Sequence, residues 1–302
     1  TMEETRIVWM NGNLVPGSEA NVPLLSHSFS RGSAIFETFG VHKSTSGPVV
    51  FRMDQHLKRL KNSADLLGME LKYGIPEIGE AVAKTIIANN TMRGVVKIMA
   101  FWGEEAIVNM VPSSKLDVAI FSLNKNSNLP LDNDTPLRAC LSNWRKLDPR
   151  SIPVEAKAVG NYLNGYLARR EAKDRGYDLS FMLGTDGFLA EGSIESIFLV
   201  KKNILQTPKL GKILPSISRM TILEIAQNVG INVKEKNLRI KDLFEADEIF
   251  TSHTGVKVHP VMVFEDKEFK IPGPITSQLS KIVHDMIYFK NNKFKHYFKD
   301  IV

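Results

Sequence analysis

The chain has 302 residues, 43% apolar and 24% charged, with a formal charge of +6 and a pI near 9.2. This balance excludes a disordered chain, and the length suits two domains or one large one, able to bury a substantial core. A single cysteine, Cys140, excludes an internal disulfide and a cysteine metal cage and fits a reducing, cytoplasmic setting. Basic residues are spread along the chain, with some crowding from Lys281 to Lys299, and no Arg-rich or aromatic-interleaved block points to nucleic acid. The charge suits an anionic small ligand. Neither a signal peptide nor a membrane-spanning apolar run is visible, so export and membrane insertion are not expected. Thr1 ahead of Met2 reads as a cloning remnant.

In chain order, Ile7–Met10, Asn11-Gly12 and Asn13–Val15 predict a β-hairpin with a primed turn. His27 to Ala34 reads as a polar turn leading into a strand at Ile35–Phe39. Asp54 is placed to N-cap a helix with apolar positions Leu57, Leu60, Ala64 and Leu67, stopped by Gly68. Arg59 falls on the flank of that stripe. A second helix spans about Pro76 to Asn89, and strands follow at Gly94–Trp102 and Lys115–Leu123. The Asn-, Asp-, Ser- and Pro-rich stretch 125–136 is the expected linker between a domain at 2–124 and a larger one at 137–302. Beyond it, the pattern predicts a strand at Leu137–Ser142 and a helix after Gly160 with Tyr162, Leu163, Tyr166 and Leu167 on one face and Arg169, Arg170, Lys173 and Asp174 on the other, ending at Gly176. A meander of Leu179–Leu183, Phe188–Gly192 and Ser196–Lys201 should follow, then a helix opened by Ser216 and Ser218 and stopped by Gly230. A strand at Glu248–Thr251 leads to the turn Ser252-His253-Thr254-Gly255, and the basic tail from Pro274 reads as helical.

No G-x-G-x-x-G, P-loop, H-E-x-x-H or G-x-S-x-G is present, and His253 and His259 are poorly spaced as metal ligands, so no metal is expected. Lys157 lies between alanines just ahead of Gly160. On spacing alone its plainer reading is a solvated lysine before a helix, as Arg59 is a solvated helix arginine. In an apolar or cationic pocket, however, a lysine amine loses its proton readily and can form a Schiff base. A lysine in a small-residue setting, a nearby tyrosine, a glutamate before a glycine and two Ser/Thr-bearing turns are the types that pyridoxal phosphate requires. It needs an amine for its aldehyde, an acid for its ring nitrogen, a donor for its phenolate and donors for its phosphate.

The segment Glu155–Gly176 resembles the lysine segment of the class IV (fold type IV) pyridoxal-phosphate aminotransferases, closest to the branched-chain amino acid group. Phe36-Glu37-Thr38, His56–Leu60, Gly187–Ser193 with Ile197-Phe198, Leu214–Arg219 and Ser252–Gly255 are similar to further family segments, in order, across roughly residues 7 to 265. The resemblance implies an α+β, two-domain fold, with a small N-terminal α/β domain and a larger domain carrying a barrel-like sheet. It also implies a homodimer that binds pyridoxal 5'-phosphate and exchanges an amino group between an amino acid and a 2-oxo acid.

By the same resemblance Lys157 is the Schiff-base and proton-shuttling lysine, Glu191 faces the ring nitrogen and Tyr162 the ring oxygen. Arg59, Ile217, Ser218 (amide and hydroxyl) and Thr254 hold the phosphate. Arg31, Phe36, Lys97 and Gly255 line the substrate. The chain departs from the branched-chain pattern at Arg31, Val95, Lys97 and Ser196, and from the proline-glycine turn at Pro215–Ser218. The arginine–histidine pair of the D-alanine subgroup is not evident at Lys97 or Met99. An aminodeoxychorismate lyase or a D-amino acid or amine transaminase are alternatives within the fold, and a non-catalytic binding protein is the alternative outside it.

Overall fold

The structure is a computed structural model and describes residues 6–125, 135–254 and 257–301. Most of the expected linker and Gly255 lie outside those residues. The elements run β1 (Ile7–Met10), β2 (Asn13–Pro16), α1 (His27–Arg31), β3 (Ile35–Ser44), β4 (Gly47–Phe51), α2 (Met53–Leu66), α3 (Ile75–Ala88), β5 (Gly94–Phe101) and β6 (Asp117–Asn124). Then come β7 (Leu137–Arg145), α4 (Tyr162–Asp174), β8 (Leu179–Leu183), β9 (Ser196–Lys201), β10 (Ile204–Pro208), α5 (Ile217–Asn228), β11 (Asn232–Lys236) and α6 (Ile240–Phe244). The last are β12 (Glu248–Ser252), β13 (His259–Phe264), β14 (Lys267–Glu268), α7 (Pro274–Ile287) and β15 (Phe298–Asp300). No helix among the described residues is long and apolar enough to cross a membrane.

The chain divides into two compact units, Thr1–Leu131 with Ala156–Gly160 and Tyr288–Val302, and Asp132–Glu155 with Asn161–Ile287. The boundary therefore differs from a single cut at the linker. The lysine segment and the C-terminal stretch both belong with the first unit.

The first unit is built on a sheet in the order β15-β4-β3-β5-β6-β1-β2. The β1–β2 turn is the expected one, with Asn11 and Gly12 both at positive φ. Alternation along the strands sends Ile35, Phe39, Val41, Val96, Ile98 and Ala100 to one face, where they meet Leu57, Leu60 and Ala64 of α2 and Ile78, Val82 and Ile86 of α3. The opposite face carries a second cluster of Val8, Ala34, Phe101 and Ala119. The tail's α-helix ends at Ile287, with one 3-10 turn at Lys295–Tyr297. Beyond it, β15 pairs with β4, the Arg52 amide donates to the Tyr297 carbonyl at 2.7 Å, and Phe298 packs edge-on against Phe51 and His42. Its aromatic residues outweigh its charge as a structural signal.

The second unit carries a sheet in the order β11-β10-β9-β12-β13-β7-β8, with β14 added to β13. Strands β8 and β12 are buried along their whole length, as strands covered on both faces must be. The expected meander is corrected. β9 pairs with β10 and β12, while residues 188–192 form an extended loop tied to β8 by the Leu183–Leu189 bridge and by backbone hydrogen bonds between Met182 and both Ala190 and Glu191. Strand β10 went unread because its turn, Lys202-Asn203, takes positive φ without a glycine. The buried face of α4 is also corrected. It carries Gly165, Ala168 and Ala172, whereas Leu163 and Tyr166 are exposed. A Cβ on Gly165 would stand 2.5 Å from the Ser193 carbonyl oxygen, so backbone contact, rather than apolar bulk, selects that stripe.

Candidate functional site

In the first unit, Ala156–Gly160 runs alongside the start of β3. The Phe36 amide donates to the Lys157 carbonyl at 3.1 Å, the Val159 amide to Ala34 at 2.8 Å and the Gly160 amide to Gly32 at 3.0 Å. Two glycines permit this approach. Gly32 ends α1 in the left-handed region (φ 68°), and a Cβ there would sit 2.9 Å from the Gly160 Cα. The Lys157 amide donates to the buried Ser63 hydroxyl at 2.9 Å. Lys157 is only 7% exposed, between buried alanines, so it is no solvated lysine. Its Nζ lies 4.7 Å from the centre of the Phe36 ring, and the Nζ of Lys97 lies 5.1 Å from the same centre. Burial lowers the Lys97 amine below the usual lysine range. The structure thus brings three of the expected residues, Lys157, Phe36 and Lys97, to one ring.

Arg59 is buried, not a solvated helix residue. Its Nε and Nη2 donate to the two oxygens of Glu37, each at 2.8 Å, and His56 Nδ1 lies 2.7 Å from the same carboxylate. Burial pushes the Glu37 carboxyl up, but the charge and hydrogen bonds of Arg59, with those of His56, overcome it and hold it at about 2. His56 is pushed down by its own burial, against the pull of Glu37. Neither partner was assigned a role from sequence. The signal was present: a glutamate on the inward, apolar register of a strand demands a buried cation.

Arg31 is placed differently from expectation. Nη1 donates to the Ala106 carbonyl at 2.7 Å and Nη2 to Ile107 at 3.1 Å, which fastens the loop between β5 and β6 to α1. Its guanidinium is thus committed to two carbonyls and shapes this loop.

In the second unit, Glu191 lies in the loop after β8, not on a strand. Its carbonyl accepts from the Met182 amide at 3.0 Å, and its carboxylate pairs with Lys146 at 2.5 Å, both side chains being about a tenth exposed. Tyr162 opens α4 and is half-buried. Ile217 and Ser218 are the first residues of α5, capped by Ser216, so their amides lie among the helix donors that have no intrahelical acceptor. The Ser218 hydroxyl donates to the His253 carbonyl at 2.7 Å, joining the Ser252–Thr254 turn to the helix start. That hydroxyl proton is therefore engaged, and what Ser218 offers an anion is its amide. Thr254 is exposed at the edge of the turn. Ser252 Oγ and Thr251 Oγ1 are buried and meet no hydrogen-bond partner among the described residues. Burial pushes the His253 imidazole down.

A family model of class IV amino-transferases matches residues 34–263. The chain belongs to the class IV aminotransferase family. This aminotransferase is 34% identical over 286 residues to the branched-chain-amino-acid aminotransferase of Salmonella typhimurium, with 93% of each chain covered. The crystal structure of the branched-chain aminotransferase of Thermoproteus uzoniensis with norvaline matches with a TM-score of 0.93 and 31% identity, over 98% of this chain and 99% of that one. The holo, PLP-form enzyme of Thermobaculum terrenum matches with a TM-score of 0.89 and 29% identity, over 99% of both chains. The α+β, two-domain architecture of this aminotransferase is thus that of fold type IV.

Proposed function

We propose that the chain is a pyridoxal-phosphate aminotransferase that moves an amino group between a branched-chain amino acid and a 2-oxo acid such as 2-oxoglutarate. The observation that carries this reading is the buried lysine between alanines, its amine over an aromatic ring. The residues fit the cofactor. Helix-start amides at Ile217 and Ser218, beside an unpartnered buried Ser252 hydroxyl, suit a phosphate. A carboxylate already set against a cation, at Glu191, suits a protonated pyridine. When bound, the cofactor supplies an aldehyde and an electron-accepting ring.

The protein's part follows from its own groups. Lys157 Nζ is the point of attachment and, once displaced, the carrier of the proton. Glu191 holds the proton on the ring nitrogen, Tyr162 donates to the ring oxygen, and Arg59 holds the phosphate with its plane fixed by Glu37. Phe36 walls the site, and Lys97 draws in a substrate carboxylate as a point charge. Turnover of leucine, isoleucine and valine with 2-oxoglutarate tests the substrate. Negligible rates with these beside rapid turnover of another donor would remove the branched-chain assignment.

The working unit in this reading is a homodimer in the cytosol. Leu24, Phe29, Ile107, Val108, Met110 and Val111 are each more than two-thirds exposed, the last four on the β5–β6 loop that Arg31 ties to α1 and the first two in or just before α1. A rigid, exposed apolar patch of this kind suits a protein partner, and a second copy is the simplest one.

A further inference from the structure

We infer that Lys146 is a positioning residue for the cofactor acid, fixing which carboxylate oxygen of Glu191 faces the ring nitrogen and supplying its counter-charge. This rests on the role proposed for Glu191 above. The backbones of both residues are tied to the same strand, β8. Lys146 directly follows β7, and its amide donates to the carbonyl of Leu183 on β8 at 2.8 Å. Glu191 is tied to the preceding residue of β8, its carbonyl accepting from the Met182 amide at 3.0 Å. Adjacent residues of one fully buried strand therefore set the spacing of the ammonium and the carboxylate.

Lys146 Nζ meets Glu191 Oε1 at 2.5 Å. A buried ion pair adds little to stability compared with apolar packing, so its value lies in specifying charge and orientation. A buried carboxylate stripped of its counter-ion takes up a proton more readily. It would then compete for the proton that the ring nitrogen needs. Nothing in the Trp144-Arg145-Lys146 run marked this residue in the sequence, because its partner is remote and its spacing follows no motif.

The test uses the holoenzyme with pyridoxal phosphate bound, comparing Lys146→Met, Lys146→Arg, Glu191→Gln and the double variant Lys146→Met/Glu191→Gln. For Lys146→Met, kcat is expected to fall about tenfold or more, with the KM of the amino donor changed by less than about threefold. The pH midpoint of the bound cofactor's visible absorbance should move from its wild-type value, since the charges set beside the ring have changed. Lys146→Arg should restore both, and in the Glu191→Gln background Lys146→Met should cost little more. If Lys146→Met does not fold, the readouts pass to Lys146→Gln in the same cycle. A cofactor-loaded variant with wild-type kcat and midpoint overturns the inference, as do additive losses in the cycle. Wild-type protein that takes up no cofactor would instead overturn the reading of the site itself.

Discussion

At the scale of single residues, the first unit is governed by one buried carboxylate. Glu37 sits at the inward register of β3, on the face that carries the apolar cluster, and it is tolerable only because Arg59 and His56 reach it. Removing one partner of such a group leaves the other charge uncompensated. Glu37→Gln is therefore expected to destabilise the apo protein by about 3 kcal/mol or more. A urea titration with the slope unchanged checks this, and a shift below about 1 kcal/mol would contradict it. The sign of the acid response follows from the same group. The folded carboxyl lies at about 2 against an ordinary 4.5, so its stabilisation is present above pH 4.5 and is lost as pH falls toward 2.

His42 acts earlier on the pH scale. Burial, with Arg93 nearby, pushes its imidazole from 6.5 to about 4, so stability falls as pH drops from 6.5 to 4. In His42→Leu that upper step should shrink in a plot of melting temperature against pH, with His56 and His253 still contributing to it, while the step below pH 4.5 remains. Lys157 shows what was legible at this scale and what was not. It was singled out in the sequence by the resemblance and its alanine neighbours, but its burial and its shared ring with Lys97 arise from pairing with the start of β3, which spacing alone does not reveal.

At the scale of elements, periodic helices were legible and irregular connections were not. Helices α2, α3 and α5 fall within a few residues of their expected bounds, because apolar spacing and a terminal glycine or proline fix them. The short helix α1 was read as a turn. It exists because Ser26 caps its start, accepting from the Phe29 amide, and Gly32 caps its end. Strand β11 went unread because its side chains are polar and largely exposed, so no apolar alternation marks it.

The face of α4 was misread for a reason that can be tested. Gly165 is pressed against the Ser193 backbone, and a methyl group would force the two apart. Gly165→Ala should thus lower stability by about 1–3 kcal/mol despite its better helix propensity, whereas an exposed change such as Leu163→Ala should have little effect. Thermal melting separates them, and a stabilised Gly165→Ala would contradict the packing described.

At the scale of the molecule, two units were legible from composition, but their membership was not. Contacts place Ala156–Gly160 and the stretch from Tyr288 with the first unit, and the C-terminal aromatic residues secure β4 there through Tyr297 and Phe298. Chain order cannot show such returns, since they are made by pairing between residues far apart in sequence. The proposed dimer belongs to this scale as well. Light scattering should give about twice the 33.9 kDa of one chain, and Val108→Asp with Val111→Asp should lower the mass toward that of the monomer. A monomeric, fully active wild type would remove the dimer from the reading.

Most direct is the identity of the attached lysine, because Lys157 and Lys97 both reach the Phe36 ring and Lys146 is buried at the proposed acid. Borohydride reduction of the pyridoxal-phosphate-loaded protein, followed by digestion and mass spectrometry, reports it. The reduced cofactor is expected on the peptide containing Lys157 and is expected to be absent in Lys157→Ala. Label carried by Lys97 or Lys146 instead, or a loaded protein that takes none, would contradict it.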